Sequence, residues 1–305
     1  MEQIKSFEEF YEIKLKPYLL DLQIQNRQAG HWGIALVVSF LLLIPGIILG
    51  TTILGGWTIA TVIILLIVCV YNYTKVNDRY EDNFKEQVIH QIIDFIKPGL
   101  VYKPGKCIHS TYYKNSSLLR SYYTNYDGND LLEGSYKDVD FQCSELMVSG
   151  NARNSNIFKG LFFAATVNSG ITGGTYIWAK GAEQLPASIA DERYRLMPMP
   201  DIIEVDFRND GFENHYSVYS TDLYEASAIV TAEMMQCIMD LKRQVGRSLV
   251  LSFVAGMCYV AIPFNGGLLE PNSGNPDNKE AIKQYFFTVL LILSIINKLQ
   301  LKRLQ

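Results

Sequence analysis

The spacing of apolar positions changes character several times along the chain. From Phe7 to Leu22 they recur at helical intervals (Phe7, Phe10, Tyr11, Ile13, Leu15, Tyr18, Leu19, Leu22), with Glu8, Glu9, Glu12 and Lys16 between them. This predicts a juxtamembrane amphipathic helix within residues 1–30, kinked or split at Pro17. It either packs on the rest of the protein or binds a partner. From Trp32 to Tyr73 the polar phase vanishes: 42 residues pass without Asp, Glu, Lys or Arg. One helical crossing of a bilayer core takes roughly 20 apolar residues. The run therefore predicts a two-helix transmembrane hairpin over 31–74, with helices Trp32–Leu49 and Ile53–Tyr73 and a break at Gly50–Gly56. Helices buried in a soluble core usually keep a polar stripe, and a signal peptide has a shorter apolar region that starts earlier. Pro45 removes a backbone donor inside the first helix.

Helical spacing resumes with Val76, Tyr80, Phe84, Val88, Ile92 and Ile96, one every four residues. This predicts a stalk helix over 75–98, ended by Lys97-Pro98-Gly99. A short helix is expected near Ser110–Tyr123. Beyond Asp130 the period shortens to two. Strands are expected around Val139–Ser144, Ile157–Val167, Thr175–Trp178 and Ile203–Arg208. Asn209-Asp210-Gly211 reads as a hairpin turn into Phe212–Tyr219. Asp222 and Glu225 resemble a capping box, and a helix follows over 231–245.

Residues 249–264 are uncharged but too short for a span, and they read as a buried hairpin, Leu249–Val254 and Met257–Ile262. A last helix, 278–300, capped by Asp277 and Glu280, holds an uncharged run of only about 20 Å of helix and is expected in the core. The fold class is α+β: a transmembrane helical hairpin plus a domain at 99–305, a curved antiparallel sheet flanked by helices on one face. Phe141, Phe162, Val205, Phe207, Val218, Phe253 and Tyr259 are its expected inward residues.

Basic residues orient the hairpin. Lys5, Lys14, Lys16 and Arg27 precede it, Lys75, Arg79 and Lys85 follow it, and its turn has none. The positive-inside rule places both flanks, both termini and the domain in the cytoplasm. Trp32, Tyr71 and Tyr73 at one end, and Trp57 at the other, fit the two aromatic belts of a membrane. Lys242, Arg243, Arg247, Lys298, Lys302 and Arg303 gather near two helix C-termini. Complementing the helix dipoles accounts for them; contact with anionic lipid headgroups is the functional alternative.

The formal net charge of −4 argues against a general nucleic-acid surface. The five cysteines form no CxxC and fit a reducing compartment. Gly99 to Lys106 has one residue too many for a P-loop, and Cys107 replaces the Ser or Thr that would hold magnesium. Asp206–Ser217 has Arg208 where a calcium loop needs a ligand. Gly170–Gly174 suits an anion cradle or, more simply, a turn. Glu133 and Glu145 line a site or an exposed strand face. His31, His90, His109 and His215 form no close pair. No catalytic, cofactor-binding or metal site is expected.

Gly134–Val148, Ile157–Phe163 (IFKGLFF), Tyr216–Asp222 and the order of helix 231–245 and strands 252–254 and 259–262 carry a resemblance. Together they resemble an uncharacterised bacterial two-pass membrane family, known only as a domain of unknown function and often encoded beside LemA-type proteins. The resemblance covers most of residues 100–300. It implies an inner-membrane protein with a cytoplasmic α+β domain, and it carries no catalytic residue. The expected function is a membrane-anchored, non-enzymatic binding or scaffold module. Its expected partners are the lipid bilayer, a LemA-type or other membrane protein, and a second copy. An enzyme acting on a lipid or small molecule is the alternative.

Overall fold

A computed structural model describes residues 7–49, 57–119, 121–150, 156–167, 170–180, 201–264, 266–271 and 278–301. The chain divides into two compact units, residues 1–95 with 269–286, and 96–268 with 287–305.

The first unit is helical. The amphipathic segment and the first apolar run form one helix rather than two: a π-helical turn at Tyr11–Leu15 leads directly into α1, Lys16–Leu41. Pro17 does not split it. The backbone widens ahead of the proline, with Lys16 N–H donating to Tyr11 O. The break comes instead at Leu42, before α2 (Leu43–Leu49). Pro45 cannot donate to the carbonyl of Leu41, which is where α1 stops. α3 (Trp57–Phe84) runs through a second π-turn, Lys85–Ile89, into α4 (His90–Ile96). Both π-turns have the same cause. A step of four residues on an α-helix advances about 400°, 40° past a full turn, so a stripe repeating every four residues drifts off its face. The wider turns restore it. Tyr11, Leu15 and Leu19, and likewise Tyr80, Phe84, Val88 and Ile92, stay buried. Phe10 stacks on Phe95 with ring centroids 4.1 Å apart, and Phe7 meets Phe286 at 5.1 Å. Lys279 forms an ion pair with Glu8 and lies over the Tyr11 ring.

The second unit is built on an antiparallel sheet. Its strands are β1 (Val101–Lys103), β2 (Asn125–Tyr136), β3 (Val139–Ser149), β4 (Asn156–Thr166), β5 (Gly174–Ala179), β6 (Ile203–Glu204), β7 (Tyr216–Ser220), β8 (Val250–Val254) and β9 (Met257–Pro263). Among the described residues they form one nine-stranded sheet, in the order β1-β2-β3-β4-β9-β8-β5-β7-β6. The helices are α5 (Ser110–Ser116), α6 (Asp210–Glu213), α7 (Leu223–Ile229), α8 (Ala232–Val245) and α9 (Lys279–Lys298), the last belonging to the first unit as far as Phe286 and to the second from Phe287. The expected 249–264 hairpin is β8–β9, turning through Ala255 and Gly256 at φ 49° and 75°.

The sheet is buried on both faces, which changes the expected core. Phe162, Tyr176, Trp178, Tyr219, Tyr259 and Ala261 share one face with Tyr113 and Leu118. There Trp178 Nε1–H donates to Leu118 O and Ser252 Oγ–H to Ser116 O. Register places Phe141, Phe163, Phe253, Val260 and Val218 on the other face. Lys242 of α8 reaches the Tyr216 ring of that face, and Asn297 of α9 reaches Tyr136. Thus Phe162 and Tyr259 face away from Phe141, Val218 and Phe253. Val205 and Phe207 are only half-buried.

The Asn-Asp-Gly turn is also different. Asn209 caps α6, its Oδ1 accepting from Phe212 N–H, and β6 pairs with β7 around that helix. Asp222 caps α7 by accepting from the N–H of Tyr224 and Glu225, but the Glu225 side chain does not return to it.

Candidate membrane interface

The apolar run leaves its side chains facing outward. Ile34, Phe40, Leu41, Ile44, Ile64, Ile67 and Trp57 are each more than half exposed. The most apolar 18-residue windows of helices Phe7–Ile48 and Ile59–Ile96 have mean hydropathies of 2.2 and 2.0 and are only 6% buried. α9 reaches 1.3 and is 50% buried. Among the described residues, three helices are therefore long and apolar enough to cross a membrane. In water the first two surfaces would be a very large exposed apolar patch; in lipid they face a matching solvent.

Small residues hold the helices together. Gly33 sits against the Tyr73 ring and Gly46 against Val62, where a β-carbon would come within 3.4 Å and 3.1 Å. Ser39 and Cys69 are buried against each other, oxygen to sulfur 3.5 Å, and Ser39 Oγ–H also donates to Ala35 O. Thr61, Asn72 and Thr74 donate to carbonyls of their own helix, which satisfies their polar groups without a partner helix.

The predicted belt residues take these positions. Tyr73 lies beside Gly33, so it and the half-buried Trp32 mark one end, with Tyr71 61% exposed. Trp57 is 85% exposed and sixteen residues from Tyr73, about 24 Å along a helix.

The described basic residues lie at two places. Lys242, Arg243 and Arg247 surround the C-terminus of α8: Arg243 pairs with Asp240, and Arg247 covers the Phe264 ring. Lys298 ends α9, and Gln300 just beyond it donates to Glu233 in the first turn of α8 and reaches Cys237 Sγ at 3.9 Å. Lys302 and Arg303 lie outside the described residues, as do the Gly50–Gly56 break and Asp277.

The other candidates resolve individually. The glycine-rich segment already holds a carboxylate: Glu225 accepts from Thr172 N–H at 3.1 Å and Gly173 N–H at 3.2 Å, while Thr221 Oγ1 accepts from Gly174 N–H. Nothing in the local sequence signals this, because Glu225 is more than fifty residues away. Glu133 pairs with Lys103 at the edge of a groove of about 350 Å³ lined also by Tyr112 and Asp140. Glu145 lies on the opposite sheet face, buried, accepting from Leu268 N–H. His90 pairs with Asp94 on the surface of α4, and His109 caps α5. Among the described residues no group of three or more His, Cys, Asp or Glu is placed to hold a metal. Burial pushes the thiols of Cys107, Cys143, Cys237 and Cys258 up, which disfavours the reactive thiolate.

A DUF3137 domain, described as a protein of unknown function, is found at residues 156–301. The match begins at β4 and ends just beyond α9, leaving out β1–β3 of the same sheet. No curated protein matches the chain. A crystal structure of the mycobacterial trehalose monomycolate transport factor A, TtfA, covers 69% of this chain and 95% of that one. Identity is 11% and the TM-score 0.36, too loose an overlay to carry an argument.

Proposed function

We propose that the chain is a two-pass membrane protein whose sheet unit is a non-enzymatic binding or scaffold module held at the bacterial inner membrane. The observation that carries this reading is the pair of apolar helices, 6% buried over their most apolar windows, joined to a unit with its own two-sided core. The basic residues flanking the run, against none in its turn, support a cytoplasmic side for both termini and the sheet unit. α9 belongs to the protein interior in this reading, since half of its apolar window is already covered. The partner is a protein, with a LemA-type membrane protein the first to try, or a ligand near the bilayer.

Purification in mild detergent followed by mass spectrometry tests the module. A stoichiometric protein partner supports it. A co-purified lipid or metabolite that is turned over would instead favour an enzyme.

A further inference from the structure

The N-terminal helix carries two apolar stripes, and the first unit uses one. Tyr11, Leu15, Leu19 and Leu22 are buried. Ile13, Leu20 and Ile24 are 63%, 57% and 59% exposed, with Pro17 exposed between them; Ile13 also rims a groove beside Phe10 and Phe95. Positions 13, 17, 20 and 24 alternate steps of four and three, the spacing of a two-stranded seam. α1 runs unbroken from Lys16 to Leu41. Leu20 therefore lies about 18 Å along the helix from Trp32. The polar zone on each side of a bilayer core is only about 5–8 Å deep. On the anchoring proposed above, lipid is not what covers this stripe.

We propose that it is the seam of a parallel homodimer, in which Ile13, Pro17, Leu20 and Ile24 pack against the same residues of a second copy. With Leu20 and Ile24 as core positions d and a, Lys16 takes the flanking position g and Asp21 the following e. In a parallel pair these positions face each other across the seam, so each Lys16, which pairs with Glu12 of its own helix, also faces Asp21 of the other copy, itself an acceptor for Gln25. An antiparallel pair, with Ile13 opposite Ile24 and Pro17 opposite Leu20, would instead bring Lys16 to Gln23 and Asp21 to Lys14. Two copies threaded through one bilayer point the same way, and this selects the parallel arrangement. The next core position is Arg27, where two like charges would meet, so the seam ends there. Two heptads are short for a free coiled coil; confinement in the membrane raises the effective concentration of the second copy.

Oxidative cross-linking of the full chain in native membranes tests this. Leu20→Cys and Ile24→Cys should each give a covalent dimer, whereas Asp78→Cys, exposed on α3, should not. Lys16→Glu should lower the Ile24→Cys yield several-fold, and adding Asp21→Lys should restore it. Alkaline carbonate washing of the same membranes separates the two ideas. Release of the chain would defeat the anchoring. Retention without cross-linking at positions 20 and 24, or equal cross-linking at 78, would overturn the dimer.

Discussion

Single side chains decide how the glycine-rich segment behaves. The N–H groups of Thr172 and Gly173 converge on Glu225, so the segment is held by a carboxylate of its own chain. Glu225→Ala removes both bonds and should cost about 1–3 kcal/mol in chemical denaturation; an unchanged midpoint would mean the bonds contribute nothing. The thiols make a second prediction. Burial raises Cys143 and Cys258 above the ordinary thiol value of 9.0 and pushes Tyr216 and Tyr259 up to about 12. Near pH 7 both folded and unfolded chains hold these protons. As pH rises past the unfolded thiol value, the unfolded chain releases them and the folded chain does not, so stability falls. Melts should move to lower temperature between about pH 8 and about pH 10, and a rise would contradict the burial.

At the scale of elements, Gly160 explains why the IFKGLFF run is distinctive. It sits at φ 154° in β4, paired with Pro263, and a β-carbon there would collide with the Ile262 carbonyl. Gly160→Ala should cost at least about 1–3 kcal/mol. Phe253 in β8 is fully buried, and Phe253→Ala should cost about 3–5 kcal/mol; a melt that either substitution leaves unchanged would sink its placement. The elements themselves were largely legible. Helical and alternating stretches were kept in the structure, as was the β8–β9 hairpin within an uncharged run, but β1 and β2 were not among the expected strands and the helix expected near Ser110–Tyr123 ends at Ser116. Asn209-Asp210-Gly211 misled because a hairpin turn and a helix cap favour the same residues, whose side-chain oxygens accept nearby N–H groups. The two-faced core was harder to read, since β7 (Tyr216-Ser217-Val218-Tyr219-Ser220) carries a serine on each face yet is buried throughout. The strand order was not legible: β9 and β8 insert between β4 and β5, a long-range pairing that no local pattern specifies. The π-turns were visible only as stripes repeating every four residues instead of alternating three and four.

For the whole molecule the account depends on solvent. Two helices face outward with apolar side chains along their apolar windows, and the sheet unit completes its own core. Placing the first in lipid satisfies both. Site-directed labelling of intact cells with a membrane-impermeant maleimide tests this arrangement most directly, using Thr52→Cys as the reporter for the turn and the half-buried Cys107 and Cys237 for the sheet unit. The account predicts that Thr52→Cys labels in intact cells while Cys107 and Cys237 label only after lysis. Labelling of Cys107 or Cys237 in intact cells, with Thr52→Cys silent, would contradict it.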